Sequence, residues 1–197
     1  MTALIVSNIV LWVVVLGLLA VVLALTRQLG VLHERITPVG ALMLNKGLTV
    51  GEQAPEMEVV ALDGARMKVG APRPDGKSTL RLFVSPTCPV CKSLLPVVKS
   101  SGKDERDWLT VILASDGDPG EQREFVRANG LGGIPYVVSA PLGMTYQVSR
   151  LPFAALLDEA GVLRARGLVN SREHLESLFE AKRLGVASLQ EYFAQSK

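Results

Sequence analysis

The longest apolar segment of the chain lies at its N-terminus. Residues 3–25 form a run of 23 positions without a charged side chain, rich in Val, Leu and Ile. As a helix rising about 1.5 Å per residue, this run spans about 35 Å, enough to cross a hydrocarbon core of about 30 Å. A cleaved signal peptide is the alternative, but its apolar part is usually only about 7 to 15 residues long and follows basic residues. No Lys or Arg precedes this run, so we predict a retained transmembrane anchor over residues 1–27.

The pattern changes after the anchor, and a folded domain is predicted to cover residues 51–197. Residues 28–50 mix polar and apolar positions and contain Pro38 and three glycines, so we predict a tether there. Residues 58–62 and 66–69 flank Asp63-Gly64, a dipeptide that is favoured in tight hairpin turns. The domain is therefore expected to open with a small β-hairpin.

Apolar runs and helix signals alternate in the middle of the chain. Residues 79–85 (TLRLFVS) and 108–114 (WLTVILA) are predicted as buried strands, with a helix over residues 91–100 between them. The tetrapeptide DPGE at residues 118–121 predicts the start of a second helix, because it offers an N-cap, a proline at the first helical position and a capping-box glutamate. Gly130 predicts the end of that helix.

The C-terminal pattern predicts a short strand at residues 135–139, a hairpin formed by residues 153–157 and 162–169, and a last helix capped by Asn170. The last helix is predicted to bury Leu175, Leu178 and Phe179 and to expose Arg172, Glu176 and Lys182. This order of elements predicts an α/β fold, with a central mixed sheet flanked by helices, an N-terminal β-hairpin extension and a single transmembrane helix in front.

Charge argues against one class of partner and leaves the orientation of the anchor open. The formal net charge is +2, and acidic and basic residues are interspersed, so no nucleic-acid partner is expected. Arg27, Arg35 and Lys46 follow the apolar run while only the N-terminal amine precedes it. The positive-inside rule therefore favours a cytoplasmic domain, but large domains are translocated largely regardless of charge. The compartment has to be inferred from the cysteine chemistry.

Cys88 and Cys91 are the only cysteines of the chain. A disulfide between them closes so short a loop that it would stabilise the fold little. A structural zinc site usually has four protein ligands, which one C-x-x-C pair and the distant His33 and His174 cannot readily supply; both histidines are expected at the surface. A redox-active disulfide fits better, because residues i and i+3 at a helix start lie about 5 to 6 Å apart and can bond without backbone movement.

The position of the pair predicts different roles for the two thiols. Thr87 is predicted to lie near the N-cap, which places Cys88 in the first turn, where free N–H groups and the helix dipole favour a thiolate. Cys88 is then the attacking sulfur and Cys91 the shielded, resolving thiol. Pro89 suits the first turn, and Val90 offers an apolar edge beside the sulfur. No dinucleotide, phosphate-loop or nucleophile-elbow motif is present, and neither a cofactor nor a metal is expected.

The C-P-V-C pair at a strand-to-helix turn, followed by strand, helix, X-Pro before a strand, hairpin and helix, resembles the thioredoxin-like superfamily. The resemblance implies a cis-proline that faces the disulfide. Of the two candidates, Pro152 directly precedes FAALLDEAGVLRARG, which is similar to the last hairpin of the superfamily, whereas Pro135 is expected to head an inserted segment. Leu151 is then expected to offer backbone groups to a substrate strand.

Three longer blocks, FVSPTCPVCKSLLPVVKS, GLGGIPYVVS and GLVNSREHLESLFEAK, resemble a narrower family, the accessory proteins of methylamine dehydrogenase. The resemblance implies a thiol-disulfide oxidoreductase of methylamine utilisation, anchored in the inner membrane with its thioredoxin-like domain in the periplasm. The implied client is the small subunit of methylamine dehydrogenase, which is dense in disulfides. Other maturation proteins of the same pathway are the further partners that it implies.

Two alternatives stay open at this stage. GEQAPEMEVVALDG resembles the opening hairpin of membrane-anchored, extracytoplasmic thioredoxin-like proteins, among them the reductases of cytochrome c maturation; a non-catalytic assembly factor is the other possibility. Thioredoxins carry a buried acid six residues before the first cysteine and an aromatic residue just before it, but Leu82 and Thr87 stand here. Cys91 is therefore expected to lack a proton acceptor, which favours disulfide formation or isomerisation over general reduction.

Overall fold

The computed structural model describes residues 1–34 and 48–185, which belong to two compact units. The described part of the N-terminal unit is the helix α1 (Thr2–Glu34). Its segment Leu4–Leu23 is long and apolar enough to cross a membrane, and it fits a single-pass anchor. The helix continues past residue 27, the predicted end of the anchor, because no proline interrupts residues 28–34.

The second unit contains a five-stranded mixed sheet and a separate two-stranded hairpin. The strands are β1 (Met57–Val60), β2 (Arg66–Val69), β3 (Ser78–Phe83), β4 (Leu109–Ser115), β5 (Tyr136–Val138), β6 (Phe153–Leu157) and β7 (Leu163–Leu168). In the large sheet the order is β5-β4-β3-β6-β7, and β1 pairs with β2 in the hairpin. β3, β4 and β5 are parallel, whereas β6 runs antiparallel to both β3 and β7. The predicted fold class is confirmed.

Within residues 48–185, four helices accompany this sheet: α2 (Pro89–Asp104), α3 (Pro119–Ala128), α4 (Ala140–Thr145) and α5 (Arg172–Leu184). α3 begins as predicted, since the Asp118 carboxylate accepts a hydrogen bond from the Glu121 N–H at 3.0 Å. The short helix α4 was not predicted from the sequence. Ser139 caps it by accepting the Leu142 N–H at 3.3 Å, and Pro141 lies in its first turn.

Side chains alternate between the two faces of the sheet, and each face has its own core. We call one the cysteine face: it holds Cys91 and consists of apolar side chains and Tyr136, with α2 and α5 packed on it. The other, the hairpin face, holds Phe83 and Tyr146 and is covered by the hairpin and α4. β3 is buried along its whole length because it lies between both cores.

Two predictions about the last helix are wrong in detail. Ser171, and not Asn170, is the N-cap of α5, since its hydroxyl accepts the His174 N–H at 3.4 Å. Lys182 is not simply exposed: its Nζ donates to Ser78 Oγ at 2.5 Å and lies 5.1 Å from the centre of the Trp108 ring. The apolar stem of a lysine can lie on a protein surface while its ammonium group reaches a polar partner.

The predicted start of the folded domain at residue 51 is slightly late. Leu48 is already buried in the core of the hairpin face. The Gly51 N–H donates to the Leu163 carbonyl at 2.7 Å, so the chain is attached to β7 at this point. An apolar side chain in a segment of mixed polarity gives no signal from which this packing could be predicted.

Candidate active site

The two cysteines lie where the chain leaves the central strand β3 and enters α2. Cys88 and Cys91 form a disulfide, and their Cα atoms are 5.2 Å apart. This separation agrees with the spacing expected for positions i and i+3 at a helix start. The chain emerges from the carboxyl end of β3, a buried parallel strand. The disulfide therefore lies at the end of the sheet where β3, β4 and β5 finish and β6 begins, and we call this end the carboxyl edge.

Cys88 itself is the N-cap of α2. Its backbone is extended, and its sulfur accepts a hydrogen bond from the Cys91 N–H at 3.1 Å, while Pro89 occupies the first turn. The N-cap therefore lies one residue after Thr87, near which it was expected. Thr87 instead contacts Ser85, with 3.0 Å between the two hydroxyl oxygens, and this contact orders the loop in front of the helix.

The two sulfurs differ in their access to solvent. Cys88 is partly buried, whereas Cys91 is 0% exposed and packs in the core of the cysteine face. Leu82, at the position of the thioredoxin acid, is also fully buried in this core. A backbone N–H and the N-terminus of a helix stabilise negative charge on the outer sulfur, while the apolar surroundings of the inner sulfur disfavour a thiolate.

The Leu151–Pro152 peptide bond is cis, as the resemblance to the thioredoxin-like superfamily implies. Pro152 is buried, and its carbonyl accepts the Val169 N–H at 3.0 Å. Phe83 and Phe153 are register partners in β3 and β6, so Pro152 and the loop that leads to Cys88 lie at the same edge of the sheet. Pro135 heads the segment of β5 and α4, and its carbonyl accepts the Leu113 N–H at 2.9 Å.

Apolar side chains remain exposed at this edge. Val90, in the first turn of α2, is 43% exposed, Leu151 is 36% exposed and Leu168, at the end of β7, is 50% exposed. Leu168 and Phe153 are register partners, which places Leu168 beside the cis-proline. We call Val90, Leu151 and Leu168 the apolar rim. Sequence reasoning missed Leu168, although its outward position at a strand end is a recognisable signal; exposed apolar groups that cluster are typical of interaction surfaces.

A buried cation lies on the hairpin face. The Arg81 guanidinium donates to the Tyr146 hydroxyl and lies 4.8 Å from the centre of the Tyr146 ring. Burial lowers the pKa of Arg81 and raises the pKa of Tyr146. This pair was not predicted, because Arg81 stands inside a run that reads as a buried strand. It joins β3 to the residue that ends α4.

Within residues 1–34 and 48–185, no group of three or more His, Cys, Asp or Glu side chains could hold a metal ion. His174 is exposed at the start of α5, as expected. The chemistry of the site therefore has to be argued from the disulfide and the groups around it.

The fold and the disulfide at the start of α2 define a thioredoxin-like protein. DsbF from MTB superimposes with a TM-score of 0.57 at 21% identity, over 68% of this chain and 99% of that one. A thiol:disulfide interchange protein DsbE from Chlorobium tepidum superimposes with a TM-score of 0.61 at 17% identity, over 69% of this chain and 99% of that one. At these identities the likeness shows the fold.

Sequence comparison then shows the family. The methylamine utilization protein MauD of Paracoccus denitrificans is 47% identical over 194 residues, covering 98% of this chain and 96% of that protein. MauD of Methylorubrum extorquens is 44% identical over 197 residues, covering 100% of this chain and 95% of that protein. The chain belongs to the MauD family. No protein-family profile matches it.

Proposed function

We propose that the protein is a membrane-anchored thiol-disulfide oxidoreductase that forms or isomerises disulfides in the small subunit of methylamine dehydrogenase during its maturation. The observation that carries the chemistry is the asymmetry of the cysteines: Cys88 is partly accessible at a helix N-cap, and Cys91 is fully buried behind it. The choice of pathway is supported by the relatives, which are methylamine utilization proteins.

Cys88 is the proposed nucleophile. In the reduced protein its thiolate is stabilised by the Cys91 N–H, which lies 3.1 Å from the sulfur in the disulfide form, and by the dipole of α2. The thiolate attacks one sulfur of a client disulfide, the other client sulfur leaves as a thiolate, and a mixed disulfide forms. No electrons have been transferred overall at this point.

The mixed disulfide can then be resolved in two ways. If a client thiolate attacks the client sulfur that is bonded to Cys88, a new client disulfide forms and Cys88 leaves as a thiolate, which is isomerisation. If Cys91 attacks Cys88, the client leaves with two extra electrons and the Cys88–Cys91 disulfide forms. Oxidation of a client is the reverse path: client thiolates displace Cys91 and then Cys88, and the protein gains two electrons.

The surroundings of Cys91 favour the first of these routes over general reduction. Its thiol has to lose a proton before it attacks, and Leu82 stands where thioredoxins have a buried acid. In an apolar environment the neutral thiol is favoured. Attack by Cys91 is therefore expected to be slow, which gives a client thiol time to resolve the mixed disulfide.

The apolar rim and its neighbours are the proposed client-binding surface. Thr87 and Pro89 are exposed beside Cys88, and Val90 and Leu151 present apolar surface on either side. Pro152, which is buried next to Leu151, is proposed to shape the groove for the client. Leu151 lies just before β6 begins, and an extended client strand is expected to pair with its backbone through main-chain hydrogen bonds, as in other cases of peptide recognition.

We infer an inner-membrane location with the thioredoxin-like domain in the periplasm. The apolar helix supports the anchor, and a client that is dense in disulfides requires an oxidising compartment. Other maturation proteins of the pathway are the expected further partners. The basic residues after the span oppose this orientation only weakly, because large domains are translocated largely regardless of charge.

Trapping of the client tests the proposal directly. In full-length Cys91→Ser, the Cys88 mixed disulfide has no internal resolving thiol and is expected to accumulate on the methylamine dehydrogenase small subunit, where mass spectrometry identifies the linked peptides. The Cys88→Ser/Cys91→Ser variant is the control and is expected to trap nothing. Trapping of apocytochrome c instead would support a reductase. Normal methylamine dehydrogenase maturation with the double variant would support a non-catalytic assembly factor.

The reduction potential of the pair tests the direction of the reaction. Equilibration of the full-length protein in detergent micelles against glutathione is expected to give about −120 to −180 mV, the range of the known oxidants and isomerases. A value of about −270 mV or below would match thioredoxin, and it would contradict the proposed direction.

A further inference from the structure

A cavity of about 280 Å³ opens beside the proposed client-binding surface. Val84, Asp116 and Ser139 line it from the carboxyl ends of β3, β4 and β5, and residues 147–151 line it from the start of β6. Leu151 is part of both the cavity wall and the apolar rim. The cavity therefore lies at the same end of the sheet as the disulfide and adjoins the rim at Leu151.

The cavity wall combines buried apolar side chains with polar side chains, most of which are exposed. Phe83, Val84 and Ala114 line it with buried surface. Asp116 and Arg150, which carry opposite charges, are exposed at its mouth. Because these two charges have opposite signs, the charged lining residues give the cavity no net charge. Its lining is suited to an apolar group instead.

One wall of the cavity is held in place before any client arrives. Met144 and Val148 belong to the segment that ends α4 and leads to β6. Tyr146, between them, is buried against Phe83 with 5.6 Å between the ring centres. Its hydroxyl accepts a hydrogen bond from the Arg81 guanidinium. The Val148 N–H also donates to the Gly143 carbonyl at 3.0 Å. A wall fixed in this way costs little ordering on binding.

We propose that this cavity binds one large apolar side chain, preferably aromatic, from the client segment that contains the cysteine attacked by Cys88. The proposal rests on the proposed function and adds a rule of client selection to it. In an extended strand, side chains two residues apart point to the same side and are about 6.8 Å apart. A client that pairs with Leu151 through its backbone can thus present a residue near its cysteine to the cavity.

The test uses two synthetic peptides, each with one cysteine as a mixed disulfide with glutathione. One peptide has tryptophan two residues from the cysteine on either side, and the other has alanine at both positions. Reduced full-length protein in detergent micelles attacks the peptide sulfur and releases glutathione; Cys91 then releases the peptide thiol, and the protein disulfide forms. The second-order rate constant is expected to be about 10- to 100-fold larger for the tryptophan peptide, in proportion to the apolar surface that it buries.

Gly143 offers a way to fill the cavity. It lines the cavity, and a Cβ at this position would meet no atom within 4 Å. Gly143→Leu is expected to reduce the rate constant for the tryptophan peptide to that for the alanine peptide. The control is Gly132→Leu. A Cβ at Gly132 would likewise meet no atom within 4 Å, but Gly132 lies before the start of β5, at the end of the sheet away from the disulfide. Met144→Ala, at a position that is 61% exposed, provides a second variant that does not depend on filling.

Three results would overturn the proposal. Equal rate constants for both peptides with the wild-type protein, together with normal exchange, would exclude selection by the cavity and leave the proposed function intact. No exchange with either peptide or with glutathione disulfide would remove the proposed function and the role of the cavity together. Tight binding of N-acetyltryptophanamide without faster exchange of the tryptophan peptide would assign the cavity to a small ligand.

Discussion

The two faces of the central sheet differ in the buried groups that they hold. The cysteine face surrounds Cys91 with apolar side chains, among them Leu82 and Leu94. The hairpin face buries a positive charge, Arg81, whose partner is the Tyr146 hydroxyl and not a carboxylate. β3 contributes to both faces, so that Arg81 and Leu82 are adjacent in sequence and lie on opposite sides of the sheet.

The difference indicates where the protein tolerates polarity. The apolar side chains around Cys91 disfavour a charge on its sulfur, which agrees with the proposed function. On the hairpin face, the buried polar pair attaches the segment after α4 to the central strand. The buried charge of Arg81 thus lies on the face opposite the inner thiol, where it holds a wall of the cavity proposed to bind the client.

The largest effect is expected from placing a charge on the cysteine face. Leu82→Asp at pH 7 is expected to lower the free energy of unfolding by about 3 to 5 kcal/mol, the usual cost of an uncompensated buried charge. Burial raises the pKa of the new carboxyl above its unfolded value of about 3.9. The unfolded chain therefore loses its proton first as the pH rises, and the penalty grows from about pH 4 to pH 7. Denaturant unfolding of the full chain in detergent, followed by fluorescence, measures it.

Leu82→Asn is the matched control, because the asparagine side chain has nearly the same shape as aspartate and does not titrate. Its penalty is expected to be independent of pH between 4 and 7. Equal losses for both variants at both pH values would mean that water reaches this position, and the contrast between the faces would fail. In kinetic experiments Leu82→Asp is also expected to speed the attack of Cys91 on a mixed disulfide, since it restores a proton acceptor.

The next effect concerns the polar pair of the hairpin face. Tyr146→Phe leaves a buried guanidinium N–H without its partner, and we expect a loss of about 1.5 to 3 kcal/mol. Arg81→Met/Tyr146→Phe removes both partners, and apolar replacement of a buried charge is often neutral. The double variant is therefore expected to be more stable than Tyr146→Phe alone. Arg81→Met alone completes the double-mutant cycle, and additive losses of the two single variants would show that the pair is not energetically coupled.

A smaller effect, confined to alkaline pH, is expected from the polar member of the cysteine face. The Tyr136 hydroxyl donates to Gln122 Oε1 at 2.6 Å, and burial raises the pKa of Tyr136 to about 12, from an ordinary value of 10.0. The unfolded chain loses this proton first, so the stability from Tyr136 is complete below about pH 10 and is lost between about pH 10 and pH 12. Tyr136→Phe is expected to remove this part of the alkaline destabilisation, as measured by unfolding from pH 9 to 12. Identical pH profiles for the variant and the parent would contradict the role of Tyr136.

How much of the molecule could be predicted from the sequence depends on the range of the signal. The strands and the helices α2, α3 and α5 followed from local periodicity and turn residues, whereas the cis-proline was implied by the resemblance to the thioredoxin-like superfamily. The Arg81–Tyr146 pair joins residues 65 positions apart, and no local pattern reports such a contact. Helix α4 has 6 residues, too few to show a period of 3.6. The cavity proposed to bind the client was not predicted, because helix α4, which was not predicted either, forms one of its walls.

The smallest expected effect concerns the N-cap of α5, which the sequence predicts at Asn170 and the structure places at Ser171. Both Asn170 and Ser171 are good N-cap residues, so composition alone cannot choose between them. In the structure the Ser171 hydroxyl accepts the His174 N–H, whereas Asn170 only donates its own backbone N–H to the His174 ring at 3.5 Å. Ser171→Ala is therefore expected to cost about 1 kcal/mol, and Asn170→Ala less than about 0.5 kcal/mol, both measured by denaturant unfolding. A larger loss for Asn170→Ala would restore the cap predicted from the sequence. It would also move the first turn of the helix that covers the cysteine face by one residue.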